Sequence, residues 1–441
     1  MKFSYVKAKN FKSLKDINFD LKKNKNSINH VVSIYGGNGV GKTNILDLFG
    51  FLKNSISTRI LDMHFSKFLE DVKDKEQFME LYDNLKNSNF KLSDFRMIDE
   101  EKPTEIEFGF ELNNVEGYYY IKFADRILEE KLYYIVEKQR DIYFEIKFDE
   151  DIHTFLNPRV FIDDKHKEDM YEEIEKYWGK HSFLSLLTKD MTEKNDTYVN
   201  KRINDKLREI IENILMLSIN IKNNKMSVFN IKRDGIIEDL GHGKCGFEEK
   251  EILLKYESIL NKFFCQIYPD VVKLEYDFKE ITDNNYKYEL FFNKIIGDKE
   301  RKIQYVYEST GTKTLLRKIQ SLFSVLNGGI TIIDEIDNGV HDYLMKIIIA
   351  SIMPEITGQL IFTSHNTLLL EILPKEIIYI ISLDLNGNKT IKSIKEMKIN
   401  VQKNNNIRDL YFKGVFGGIT LINPINMEDI KNEVNQLMNK K

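Results

Sequence analysis

The run Gly36-Gly37-Asn38-Gly39-Val40-Gly41-Lys42-Thr43 has the spacing G-x-x-x-x-G-K-[ST]. Glycines at these places let consecutive backbone N–H groups curl around a phosphate chain, and a helix that opens beside them turns its positive end on the same charge. Lys42 is then placed to reach the outer phosphates, Thr43 offers a hydroxyl to Mg2+, and Asn44 continues the cradle into the helix. Far along the chain, Ile330-Thr331-Ile332-Ile333-Asp334-Glu335 is an apolar run ending in two carboxylates. Asp334 suits a hold on Mg2+ through water, and Glu335 suits polarising the water that attacks a γ-phosphate. Gln359 to Phe362 form another apolar run, closed by Thr363-Ser364-His365-Asn366, where His365 can hydrogen-bond the γ-phosphate or the attacking water. A fourth cluster, Glu308-Ser309-Thr310-Gly311-Thr312-Lys313, opens a helical pattern. Taken alone, Ser309 there reads as a helix cap, although the same position is an anion site.

These residues need elements to hold them. HVVSIYGG is an apolar run stopped by glycines, which predicts a buried strand entering a tight turn, and NILDLFGFL after it is spaced as a helix. Strand, turn and helix therefore follow in the order a phosphate cradle requires. Before them, FSYVKAKNF and LKDINFDL alternate as paired strands. After them, residues of about 55 to 95 are expected to be amphipathic helix, and TEIEFGFELNN, EGYYYIKFA, KLYYIVEK and IYFEIKFD antiparallel strands. Helical spacing returns from His166 to about Ile221, without sustained heptads. KLEYDF, YKYELFFN and KIQYVY are strands again, followed by helices from Gly311 and Val340. Two apolar parallel-type strands with polar ends predict an α/β sheet whose site lies at the strands' C-terminal edge.

Composition narrows the classes. With 441 residues, 42% hydrophobic, the chain can bury a large core in two to three domains or one core with insertions. Charged residues make up 30%, but the net charge is only -4, so no global basic field predicts nucleic-acid binding. Cys245 and Cys265 build neither a disulfide framework nor a four-ligand zinc site, and their scarcity points to the cytoplasm. The charged N-terminus is no signal peptide, and no apolar run approaches the ~18 residues that span a bilayer. Gly241 to Gly246 spells G-x-G-x-x-G without a surrounding βαβ unit and reads as a flexible loop. Trp178 and Tyr118 to Tyr120 read as core rather than as base-stacking groups. No N-K-x-D follows the cradle, which sets a GTPase aside.

Taken together, the motifs resemble the ABC-type ATPase head shared by SMC, RecF and OLD-like proteins. More closely, NFKSLKDI, PTEIEF, WGKHSFLSLL, ESTGTK, DEIDNGVH, FTSHN and RDLYFKGVFGGI resemble the AAA-family ATPases of RloA, AbiLi and AriA type, from Asn10 to about Ile419. That resemblance implies that Ser309 and Gly311 form a signature closing on the ATP of a second subunit, and that Asp337 is the acid following the two carboxylates. His341 stands where the family has a histidine. Asp342, Asn366 and Val415 depart from the family's proline, aspartate and arginine, no glutamine stands near Phe90 to Arg96, and RDLYFKGVFGGI has no assigned role.

The expected fold is therefore α/β, an ABC-type P-loop ATPase core (mixed sheet with antiparallel subsheet) carrying a large mainly helical insertion. Its parts are residues 1–54, an insertion at 55–270 acting as lid or partner platform, and residues 271–441. The expected reaction is Mg-ATP hydrolysis in a homodimer or higher oligomer built around sandwiched ATP. The resemblance further implies a prokaryotic anti-phage ATPase that answers a phage trigger and controls a separate toxic effector, such as a nuclease. The alternative is a RecF- or SMC-like ATPase that binds DNA in repair. A self-contained nuclease of OLD kind is set aside, because about 75 residues follow His365.

Overall fold

In the computed structural model, the residues described are 1–25, 27–63, 90–193, 202–221, 237, 239–282, 284–397, 399, 406–419 and 426–438. Val31–Tyr35, Ile330–Ile333 and Gln359–Thr363 are buried at every position, as strands covered on both faces must be. They pair in parallel within a six-stranded sheet ordered Ser218–Asn220, Ile330–Ile333, Gln359–Thr363, Val31–Tyr35, Ile378–Leu383, Lys389–Ser393. Only the last strand runs antiparallel. The strand leading into the glycine run thus lies between the two strands ending in Asp334 and His365 and the hairpin that carries Lys389.

Alternate side chains of these strands feed two cores. Val32, Ile34, Ile332 and Ile361 join the one that holds the helix Lys42–Ser55. There Phe49 meets Phe3 edge-on at 5.0 Å, and Phe51 stacks on Phe123 at 5.0 Å, so the phosphate-loop helix is anchored to a second sheet. Full burial of one such ring contributes about 1.5–3 kcal/mol. Val31, Tyr35, Leu360 and Phe362 join the opposite core, with Leu315, Leu316, Ile319 and Leu322 of the helix Thr310–Ser324.

The second sheet is antiparallel and seven-stranded, ordered Ile152–Leu156, Gln139–Phe148, Ile127–Val136, Val115–Phe123, Thr104–Leu112, Lys2–Phe11, Leu14–Asp20. Helices Asp164–Tyr177, Phe183–Glu193 and Asp205–Leu215 pack against it. The WGKHSFLSLL segment is tied to it through a buried carboxylate. Glu130 accepts from the Trp178 indole N–H (2.8 Å), the Phe183 N–H (2.6 Å), the Leu184 N–H (3.2 Å) and the Tyr119 hydroxyl (3.0 Å). Trp178 and Tyr119 are core as expected, whereas Tyr118 and Tyr120, on the other face of the strand, are only half-buried.

Two local readings change. Gly241 to Gly246 is not a loop: His242–Gly246 is a strand of a third sheet, paired antiparallel with Asn285–Ile296. Backbone pairing from a distant strand overrides a glycine-rich composition that favours turns. KIQYVY divides, because the strand ends at Gln304 and Tyr305–Tyr307 is a single 3-10 turn. Of the helix expected over about 55 to 95, residues 64–89 lie outside the described residues, and Leu92–Phe95 is a 3-10 turn.

Candidate phosphate-binding and hydrolysis site

Gly39 (φ 76°) and Gly41 (φ 103°) occupy the left-handed region, which a side chain would strain, and they turn the chain from Tyr35 into the helix. Lys42 lies back over this turn. Its ammonium donates to the carbonyls of Gly36 (2.7 Å) and Gly37 (3.0 Å). Burial holds its pKa below the ordinary lysine value, against the upward pull of Asp334, Glu335 and Asp337. The cation and the carboxylates therefore share one place.

Thr43 joins the turn to the acidic strand: its hydroxyl donates to Asp334 Oδ2 at 2.9 Å. The other Asp334 oxygen accepts from the Thr363 hydroxyl at 2.6 Å. Thr363 in turn accepts from the Glu335 N–H at 2.7 Å, so one threonine fixes both acidic residues. Glu335 stands at φ 49°, rare for a residue with a side chain and held here by its surroundings. Lys318 supplies part of that hold, since its buried ammonium donates to the carbonyls of Glu335 (3.1 Å), Ile336 (2.7 Å) and Asn338 (2.9 Å).

Asp337 accepts from the His365 N–H at 3.2 Å, which ties the turn after the acidic strand to the turn after Gln359–Thr363. The His365 side chain is exposed at the same sheet edge. Ser309 and Gly311 open the helix Thr310–Ser324. Ser309 caps its helix, accepting from the Thr312 N–H at 3.1 Å, and a Cβ at Gly311 would meet the Gly339 carbonyl at 3.0 Å. His341 likewise caps the helix Asp342–Ile352, its Nδ1 accepting from the Tyr343 N–H at 3.2 Å.

The RDLYFKGVFGGI segment supplies a wall that sequence reading left unassigned. The Gly37 N–H donates to the Gly418 carbonyl at 2.7 Å, and the Tyr411 hydroxyl meets the Gly36 backbone. Gly418 has no room for a side chain, since a Cβ would sit 2.5 Å from Ile380 Cγ2. Thr363, Lys318, Tyr411 and Gly418 were all missed from sequence. Lys318 alone left a signal, as a lysine inside the apolar stripe of Leu315, Ile319 and Leu322.

The family described as "AAA domain, putative AbiEii toxin, Type IV TA system" matches residues 31–205 and 221–371. The chain belongs to this AAA family. Both matched stretches run through the group just described, from the glycine turn to His365. Solved structures similar to this AAA chain include an SmcHead bound to the C-winged helix domain of ScpA, at 13% identity over 90% of this chain and 100% of that one, with a TM-score of 0.46. The Smc head domain with an extended coiled coil from Pyrococcus furiosus is 14% identical over 90% and 97%, with a TM-score of 0.41. The SMC head domain from Thermotoga maritima is 14% identical over 89% and 99%, with a TM-score of 0.38. No curated protein matches the chain. Among the described residues, no helix of the AAA chain is long and apolar enough to cross a membrane.

The oxygens at Thr43 and Asp334 are hard donors of the kind Mg2+ prefers, and they already lie in contact. The glycine turn beside them has the N–H groups and the lysine that a phosphate chain needs. The residues present therefore fit Mg-ATP.

Proposed function

We propose that this chain binds Mg-ATP in the turn Gly36 to Asn44 and hydrolyses it. The observation that carries this reading is the continuous linkage Thr43, Asp334, Thr363, Glu335, which places a metal-suited oxygen pair and a candidate base beside the Lys42 ammonium. In this reading, Lys42 leaves the Gly36 and Gly37 carbonyls to pair with the outer phosphates. Glu335 orients the attacking water and draws on its proton, and His365 senses the γ-phosphate from the neighbouring strand end. Bound Mg2+ supplies charge neutralisation at the phosphate oxygens, held by Thr43 and by Asp334. In this reading Ser309 and Gly311 serve the ATP of a second copy, so the working unit is a dimer.

The biological role we infer is the ATP-driven component of a prokaryotic anti-phage system, acting with a separate toxic partner. The family's link to a type IV TA system supports a setting of two proteins working together, and leaves to the test below which of them is toxic. Residues 55 to 270, the largest part not needed for phosphate chemistry, are the docking surface in this reading.

Glu335→Gln separates the roles: ATP affinity stays near wild type, while turnover falls by about 10²–10⁴-fold. Lys42→Ala instead weakens binding itself. Equal loss of affinity in both variants, measured by nucleotide titration, overturns the division of roles. Phage protection by this chain alone, without its adjacent gene, overturns the two-component role.

A further inference from the structure

Three lysines stand at the glycine turn or at the helix it opens, and their partners differ. Lys12 is paired with Asp47 at 2.5 Å. Lys42 lies on two backbone carbonyls. Among the described residues, Lys389, on the edge strand Lys389–Ser393, has only a neutral partner, the Ser13 hydroxyl. Its Nζ lies 2.8 Å from where a Cβ of Gly41 would be, so the ammonium rests against the turn in space that the glycine leaves open. Among the described residues no carboxylate pairs with it, and burial alone holds its pKa below the ordinary lysine value. A half-buried cation against a phosphate turn without a counter-ion is arranged to gain an anion.

Position selects which anion. Asp334, Glu335 and His365 end the strands on one side of Val31–Tyr35, and this marks the end where the transferred phosphate would lie. Lys389 comes from the strand hairpin on the other side. Its partner Ser13 also accepts from the Asn44 amide at 2.5 Å, one residue further into the helix than Thr43. From these placements we propose that Lys389 is a ligand of the inner, non-transferred phosphates of the bound nucleotide, with Ser13 and Asn44 holding it in place. The assignment rests on ATP binding at the glycine turn.

The experiment is a titration of the full-length protein with fluorescent ATP and ADP analogues in the presence of Mg2+, comparing wild type, Lys389→Met and Lys389→Arg. Lys389→Met weakens both nucleotides equally, by about tenfold, the value of one partly exposed charge-assisted contact. Lys389→Arg recovers most of the affinity. A loss confined to ATP moves the ammonium to the transferred phosphate and overturns the assignment. Unchanged affinity for both nucleotides overturns it as well, and with a lowered melting temperature it makes Lys389 a brace for the Ser13 turn. If wild type itself binds neither nucleotide, the underlying reading fails instead, and that result is distinct from the others.

Discussion

Two buried carboxylates in this molecule are held in opposite ways. Glu130, inside the seven-stranded sheet, accepts four hydrogen bonds, and two of its donors are backbone N–H groups at the start of the helix Phe183–Glu193. Burial pushes its pKa up while the Phe183, Trp178, Leu184 and Tyr119 donors pull it down. Among the described residues, Asp334, at the edge of the parallel sheet, accepts from hydroxyls alone, those of Thr43 and Thr363. Hydroxyls rotate, and a Thr43 oxygen can turn its lone pairs towards a metal without any backbone movement. A carboxylate held mainly by fixed N–H donors serves the fold, whereas one held by rotatable hydroxyls keeps capacity for a ligand.

The largest effect that tests this contrast is at Glu130. In Glu130→Gln an amide N–H₂ replaces one acceptor oxygen and faces at least one N–H donor that cannot turn away, since of the four donors only the Tyr119 hydroxyl rotates. Stability should fall by roughly 3–5 kcal/mol, read from denaturant unfolding. A change below about 1 kcal/mol would show that the network does not hold the WGKHSFLSLL segment.

Next in size is a pH effect in the same region. His181 donates to or accepts from the Thr58 hydroxyl at 3.0 Å, which links this segment to the chain leaving the phosphate-loop helix. Burial, aided by Lys180, pushes its pKa down to about 4. The folded state thus keeps the ring neutral, while the unfolded chain protonates it near the ordinary value of about 6.5. The stabilisation is complete above about pH 6.5 and is lost as pH falls towards 4, by up to roughly 3 kcal/mol. His181→Gln should flatten the stability profile over that window, and an unchanged slope would place the acid sensitivity elsewhere.

The smallest stability change is expected at Asp334. Asp334→Asn keeps the shape, and both threonine hydroxyls can rotate to suit an amide, so unfolding should shift by about 1 kcal/mol or less. Mg2+-dependent tightening of ATP binding should nevertheless disappear. A variant that loses several kcal/mol of stability while retaining that tightening would make Asp334 structural, like Glu130.

Much of the architecture can be read without coordinates because its determinants are contiguous. A glycine run after VVSIY must turn, and the apolar run from Ile45 to Leu52 leads the chain into a helix buried around most of its surface, Leu48 and Phe51 included. The apolar runs at Ile330–Ile333 and Gln359–Thr363 must be strands covered on both faces, and alternation along Thr104–Leu112 and Val115–Phe123 marks an antiparallel pair. In each case the pattern is repeated over several neighbouring residues, so it survives any one exception.

Tertiary structure decided which residues meet across long separations. Period and composition specify which face of an element is buried but carry no address for its partner. Nothing local marks Thr363 as the hydroxyl between Asp334 and Glu335, or Gly418 as the acceptor for the Gly37 N–H. The same holds for His242–Gly246, a glycine-rich stretch that is a strand only because Asn285–Ile296 offers it a ladder. Glu130 falls on the same face of its strand as Leu132, Tyr134 and Val136, but nothing near it in sequence names Trp178 and Phe183 as the donors that satisfy it there. Local conformational preference is therefore legible residue by residue, whereas the pairing of polar groups is set by where the packed cores bring distant backbones together.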